Sequence, residues 1–278
     1  MKYKKYLNRI EIDGLEDFDI KQTLECGQIF RYKIKENKGF VLSKDKKADF
    51  EVLGNRLIIT TKDVKYFETF FDLKTDYSNI KSELIEHEFL KPAVDFGGGI
   101  RILNNDLLEM IVSFIISANN NIKRIKNSIE MLCERFGEKV VDYHAFPTLT
   151  QLKMVSVQDF VEMGLGYRAE QLHATLQDLT EEKLQSIKSM PSDTVKNELI
   201  KLKGVGPKVA NCIMLFGLNI TNTFPVDTWI NKVYNKINSK EETNRSKIEQ
   251  EMINKFQSLS GYAQQYLFYF FRENNIKL

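Results

Sequence analysis

Leu199-Ile-Lys-Leu-Lys-Gly-Val-Gly-Pro-Lys-Val-Ala-Asn-Cys-Ile-Met-Leu-Phe-Gly217 is the stretch on which the reading of this chain turns. Ser192 or Asp193 is placed to cap a helix running to about Leu202, Gly204-Val-Gly206 then makes a tight turn, and Pro207 suits the first position of the next helix, where no backbone donor is lost. Two antiparallel helices joined in this way form a hairpin whose second helix presents unpaired N–H groups at its positive end, a ready site for a phosphate. Read alone, the same residues make only a short helical corner, because Gly-x-Gly turns are common. Between positions 196 and 236, Lys196, Lys201, Lys203, Lys208, Lys232 and Lys236 stand against Glu198 and Asp227, a local net charge of +4.

Across the whole chain of 278 residues, 40 Lys and Arg oppose 38 Asp and Glu, for a net charge of +2. That balance excludes a polycation binding nucleic acid by bulk charge, but not a basic patch. With 42% hydrophobic and 11% aromatic residues and five prolines, the composition is that of a folded protein, long enough for roughly two domains. No apolar run approaches the roughly eighteen residues of a membrane span, and Met1-Lys-Tyr-Lys-Lys lacks the apolar core of a signal peptide. The expectation is a soluble, intracellular protein. Cys26, Cys133 and Cys212 are far apart and odd in number, which argues against a disulfide framework. His87, His144 and His173 have no ligand spacing to one another or to a cysteine, so neither a metal nor another cofactor is expected.

Working outward, residues 28–34, 39–43, 49–53 and 56–60 alternate as short strands, with Asn37-Lys-Gly and Gly54-Asn as turns. After about residue 65 the period becomes helical, and Gly97-Gly-Gly reads as a junction. Leu107, Met110, Ile111, Phe114 and Ile115 form the apolar stripe of one helix, and a second begins near Asn121. Further helices are expected over 150–162, 169–188, 194–202, 207–218, 228–237, 244–257 and 262–273. The resulting fold class is α+β: an N-terminal antiparallel sheet domain over 1–96 and an all-helical domain with a helix-hairpin-helix over 97–278.

Lys208 sits in the first turn of a helix, where the dipole disfavours an ammonium and favours the nucleophilic amine. Beside a turn that grips the DNA backbone, such an amine would attack a sugar carbon and form a Schiff base; the ordinary reading is a solvated surface lysine. Nineteen residues on, Asp227 follows Pro225-Val226 and opens a helix. It reads as an N-cap, and its carboxylate would also stabilise positive charge on a deoxyribose losing its base.

Leu202-Lys-Gly-Val-Gly-Pro-Lys-Val-Ala together with Val226-Asp227 resembles the helix-hairpin-helix, Gly-Pro-Asp superfamily of DNA glycosylases, and within it the 8-oxoguanine DNA glycosylases. The likeness extends to Glu25-Cys-Gly-Gln-Ile-Phe-Arg-Tyr, Ser113-Phe-Ile-Ile-Ser-Ala-Asn-Asn-Asn-Ile-Lys-Arg-Ile, Gly164-Leu-Gly-Tyr-Arg-Ala and Gly261-Tyr-Ala-Gln-Gln-Tyr-Leu-Phe, in the family's order. It implies a glycosylase with abasic-site lyase activity, in which Lys208 attacks C1′ of a flipped nucleoside and Asp227 assists. Gly27 matches the glycine whose carbonyl accepts the N7 hydrogen of 8-oxoguanine, a hydrogen that guanine lacks. Cys212 matches a residue packing on the base, Gln264 one bonding its Watson–Crick edge, and Phe268 one stacking on it. Asn119 matches the residue filling the vacated space, Arg124 and Arg168 the arginines reading the orphaned cytosine, and Tyr167 the wedge beside it. Gly204, Gly206 and Val209 match the DNA-backbone contacts of the hairpin.

Each of these residues has an ordinary reading as well: Gly27 a turn glycine, Cys212 a small buried hydrophobe, Tyr262 to Phe271 core packing, Asn119 a loop residue, Arg124 a solvated arginine. One departure stands out, since eukaryotic members carry a histidine where this chain has Trp229, its only tryptophan. The resemblance points to a compact prokaryotic form, a monomer acting on double-stranded DNA that contains 8-oxoguanine, away from membranes, in the cytoplasm or at the nucleoid. Two alternatives remain open: a superfamily glycosylase for another damaged base, and a non-catalytic helix-hairpin-helix DNA-binding protein.

Overall fold

Alternation of apolar and polar residues builds the N-terminal layer. In the computed structural model, which describes residues 1–274, six strands form one antiparallel sheet: β1 (Lys2–Lys5), β2 (Arg9–Asp13), β3 (Tyr32–Lys35), β4 (Lys38–Ser43), β5 (Lys46–Leu53) and β6 (Arg56–Thr60), in the order β1-β2-β6-β5-β4-β3. Ile10 pairs with Ile59 and Ile12 with Leu57, all four fully buried, and they pack against Phe18, Phe67, Phe70 and Phe71 on the covered face. The sequence reading found four of these strands. It missed β1 and β2, because Lys-Tyr-Lys-Lys is a charged edge strand and β2 carries only Ile10 and Ile12 between polar residues. The expected strand at Gln28 begins only at Tyr32. Gln28 is instead a fully buried side chain that donates to the carbonyls of Thr23 and Arg101 and accepts from the Leu103 N–H at 2.8 Å.

The helical part is organised round Leu107–Ser117. Its sequence reads as a one-sided stripe, yet Leu108, Glu109, Val112, Ser113 and Ile116 are buried too, so the helix is enclosed on every side. Asn121 caps the next helix, Ile122–Phe136, through its side chain and the Arg124 N–H. Two expected helices are each divided in two: Leu149–Lys153 from Val157–Glu162, where Ser156 and Asp159 form a capping box, and Arg168–Asp178 from Glu181–Ser189, where Thr180 caps. In both, a hydroxyl able to satisfy helix-start donors interrupts an otherwise continuous periodic pattern. The helix expected to be capped by Ser192 or Asp193 starts at Ser192 itself, after Pro191, with no side-chain cap.

Ser192–Ile200 and Pro207–Gly217 form the hairpin. Of its two glycines only Gly204 is conformationally required: its φ is +79°, and a Cβ there would lie 3.0 Å from Gln171 and 3.3 Å from Ile115. Gly206 has φ −88° and open space around it. Thr228–Asn238, Arg245–Phe256 and Ser260–Glu273 complete the described chain. Among the described residues no helix is long and apolar enough to cross a membrane.

Glu109, fully buried in the central helix, joins the two layers by accepting from the Lys44 N–H at 3.0 Å. Burial raises its carboxyl from 4.5 to about 7, against the opposing pull of Arg31 and of the Lys44 N–H. The folded state therefore holds a proton that the unfolded chain has released between pH 4.5 and 7, so stability falls as pH rises through that window. Glu109→Gln keeps the acceptor and does not titrate. Its stability relative to wild type is expected to rise from pH 4.5 to 7 by up to about 3 kcal/mol and then level off, as read from urea unfolding at successive pH values.

Candidate active site

The hairpin, the 117–120 loop and the start of the Thr228–Asn238 helix meet in a cleft of about 600 Å³. Lys208 and Asp227 both line it, with Gly27, Asn119, Val209 and Phe268. The N-cap reading of Asp227 holds: its carboxylate accepts from the Ile230 N–H at 2.8 Å. That bond fixes the carboxylate at the helix start, where Asp227 lines the cleft. Lys208 is half-buried, with Nζ 5.6 Å from the centre of the Phe114 ring and the Cys212 thiol within hydrogen-bonding reach. The surroundings of Lys208 work against the expected neutral amine. Burial pulls the Lys208 ammonium down, but Cys212 and Asp227 outweigh it and the net direction is upward. Burial also pushes the Cys212 thiol up, which leaves the Asp227 carboxylate as the charge facing the lysine.

Gly27 occupies a corner with φ +89°, a region in which side chains are strained. The long helix Ser260–Glu273 holds that corner. Gln265 Nε2 donates to the Cys26 carbonyl at 2.7 Å and Arg272 Nη2 to the Glu25 carbonyl at 2.6 Å. Phe268 reaches the cleft, and a Cβ built on Gly27 would touch its Cε1 at 3.4 Å. Gln264, one turn earlier on the same helix, is buried, and its Oε1 has no hydrogen-bond partner. An unpaired buried acceptor is costly, and Gln264 itself stands behind Phe268 rather than among the residues that line the cleft.

The third group lies on the rim. Asn119, exposed at φ +50°, sits on a loop whose carbonyls are gripped by the turn before Arg168–Asp178. Arg168 donates to Ala118 O and to Asn119 O at 2.6 Å each and to Leu165 O at 3.2 Å. Tyr167, 56% exposed, donates to Ala118 O at 3.3 Å and lies against the Arg168 guanidinium. Arg124 is exposed on the first turn of its helix. At the hairpin, Gly206 caps Pro207–Gly217 without a side chain, leaving the first-turn donors of Lys208 and Val209 open.

The local charge is smaller than its lysine count suggests, since Lys196 pairs with Glu249 and Lys201 with Glu198 at 2.5 Å. The sequence reading left two cationic residues of the cleft without a site role: Lys232, counted only as charge, and Arg245, which donates to Thr228 Oγ1 at 2.9 Å. Neither belongs to a recognisable motif, and only the fold brings Arg245 beside residue 228. Among the described residues no group of three or more His, Cys, Asp or Glu side chains is placed to hold a metal.

Residues 11–111 match the family model of the 8-oxoguanine DNA glycosylase N-terminal domain, and residues 112–258 that of the HhH-GPD superfamily of base excision DNA repair proteins. An N-glycosylase/DNA lyase of Saccharomyces cerevisiae is 32% identical over 235 residues, covering 76% of this chain but only 60% of that protein's own length. A probable N-glycosylase/DNA lyase of Methanothermobacter thermautotrophicus is 29% identical over 91% of this chain and 93% of its own. The crystal structure of Clostridium acetobutylicum 8-oxoguanine glycosylase/lyase, in complex with double-stranded DNA containing cytosine opposite 8-oxoguanine, has a TM-score of 0.93 at 38% identity and covers 99% of both chains.

Asp227→Asn is expected to leave Tm within about two degrees, because asparagine caps as well as aspartate, whereas Asp227→Ala loses about 1 kcal/mol. Both remove the charge facing Lys208, so its ammonium releases its proton at a lower pH than in wild type. Reductive methylation of Lys208 followed across pH measures that shift.

Proposed function

We propose that this chain, which belongs to the HhH-GPD superfamily of base excision DNA repair proteins, excises 8-oxoguanine opposite cytosine from duplex DNA and then cleaves the abasic site. The observation that carries the reading is the meeting, in one cleft, of a lysine, a helix-capping aspartate, an aromatic ring and the Gly27 corner. Damaged purine reaches such a cleft only by leaving the base stack. Phe268 then stacks on it, the Gly27 carbonyl accepts its N7 hydrogen, and the unpaired Gln264 oxygen accepts from its Watson–Crick edge.

Lys208 must first give up its proton. Its amine adds to C1′ as the glycosidic bond breaks, and the base leaves with the bonding pair and takes up a proton. Asp227, fixed by its cap bond, faces the positive charge that develops on the sugar. Ring opening gives an imine; loss of a C2′ proton then expels the 3′ phosphate and nicks the strand. Gly204, Gly206 and Val209 hold the DNA backbone at the open end of the hairpin helix. Asn119 and Tyr167 occupy the gap left in the duplex, with Cys212 below Lys208. Arg124, whose fork is exposed, reads the orphaned cytosine; Arg168 shapes the Asn119 loop that stands beside it. Action on one flipped nucleotide needs only a monomer, working in the cytoplasm or at the nucleoid.

Borohydride treatment on an 8-oxoguanine:cytosine duplex is expected to trap a covalent adduct with the wild type and none with Lys208→Gln, which still binds. Absence of both adduct and nicking in the wild type removes the lyase mechanism, and equal trapping on an alkylated base removes the substrate assignment. Arg124→Ala is expected to weaken the preference for cytosine over adenine opposite the lesion by about tenfold, the scale of one bidentate base contact.

A further inference from the structure

We propose that Arg272 is a positioning residue for base discrimination, which ties the Gly27 corner and the Phe268 ring into a single stiff wall; this rests on the 8-oxoguanine reading above. The helix Ser260–Glu273 carries both the groups that face the base and the groups that grip the opposing corner, in the sequence Gln264, Gln265, Phe268, Arg272. Arg272 does two things at once. Its Nη2 donates to Glu25 O at 2.6 Å, and its guanidinium lies 5.3 Å from the centre of the Phe268 ring. A Cβ placed on Gly27 would stand 3.5 Å from Arg272 Nη1 and 3.4 Å from Phe268 Cε1, so arginine, ring and corner are in mutual contact.

Arg272 Nη1 is buried and has no hydrogen-bond partner. Nε is committed to Glu273 Oε1 at 2.8 Å, so the planar fork is held at two points while the third donor lies unpaired against the back of the corner. A flexible ammonium could not hold a carbonyl and stack on a ring together. An unpaired buried donor costs stability and persists where the surrounding structure imposes the geometry.

Stiffness here bears on selectivity through the sign of one contact. With 8-oxoguanine the Gly27 carbonyl faces an N–H and is attracted; with guanine it faces a lone pair and is repelled. A corner free to retreat by a fraction of an ångström relieves the repulsion and gains little otherwise. Loosening the wall therefore favours the wrong base more than it harms the right one.

The test uses the full chain and duplexes differing only in 8-oxoguanine or guanine opposite cytosine. Binding of both is measured in the Lys208→Gln background, and kcat/KM on 8-oxoguanine in the active enzyme. Arg272→Met is expected to narrow the affinity ratio by about tenfold, the scale of one hydrogen bond, with kcat/KM falling less than the ratio. Arg272→Lys, which keeps charge and a donor, recovers part of it. An unchanged ratio, or parallel loss on both duplexes, overturns the proposal. Should Arg272→Met fail to fold, Gln265→Met removes the second clamp and must narrow the ratio as well; an unchanged ratio there overturns it equally. A parent protein that shows no preference for 8-oxoguanine removes the substrate reading and the proposal together, whereas a parent preference untouched by the variants removes the proposal alone.

Discussion

A fully buried guanidinium with backbone carbonyls for its main partners holds the two layers of this protein together. Arg101 donates through Nε to Phe71 O at 3.0 Å, through Nη1 to Asp17 O at 3.1 Å, and through Nη2 to Thr75 O at 3.0 Å and to Asp72 O, while lying 3.9 Å from the centre of the Tyr77 ring. Those carbonyls belong to loops under the sheet, and the arginine belongs to the segment that leads into the central helix. Water cannot reach the group, so each bond is an obligation: removing the arginine would orphan several buried acceptors at once. Its own carbonyl is held by Gln28, whose amide also binds Thr23 and Leu103. The Gly27 corner lies between these anchors, and so that wall of the cleft inherits its position from the junction of the two layers.

At the other wall the constraint is electrostatic. Lys208 lies in the first turn of its helix beside Asp227, which begins another, so two helix starts converge on one cleft. The cap bond gives Asp227 a structural duty that holds its carboxylate still, and with Cys212 the carboxylate then favours the charged form of the lysine. An aspartate free to rotate would solvate itself and do neither. Rim residues follow the same economy of polar groups, since Arg168 and Tyr167 hold the loop that presents Asn119.

Much of this was legible from residue order. Gly204 announced a turn, Asn121 and Asp227 announced helix starts, and the strands from β4 to β6 declared themselves by alternation, because each signal involves neighbours within one turn or one strand. Motifs quoted from five separate segments identified the family. Where the reading failed, a longer-range effect prevailed. Ser156 and Thr180 ended helices whose periodicity continued past them; Gln28 left its strand for buried carbonyls; β2 formed because β6 was there to pair with it.

Sequence alone determined the hairpin, its lysine and aspartate, the α+β class and the family, since these depend on local backbone preference and on a motif's internal spacing. Tertiary structure alone decided that Gly27 meets Phe268 and Arg272 across some 240 residues of chain, that Arg168 turns its fork onto carbonyls, that Arg245 joins the cleft, and that Cys212 and Asp227 lie close enough to Lys208 to favour its ammonium form. The reason is physical: a residue's type fixes which interactions it can make, but burial, distance and the sign of the nearest charge are set by whatever the rest of the chain packs against it.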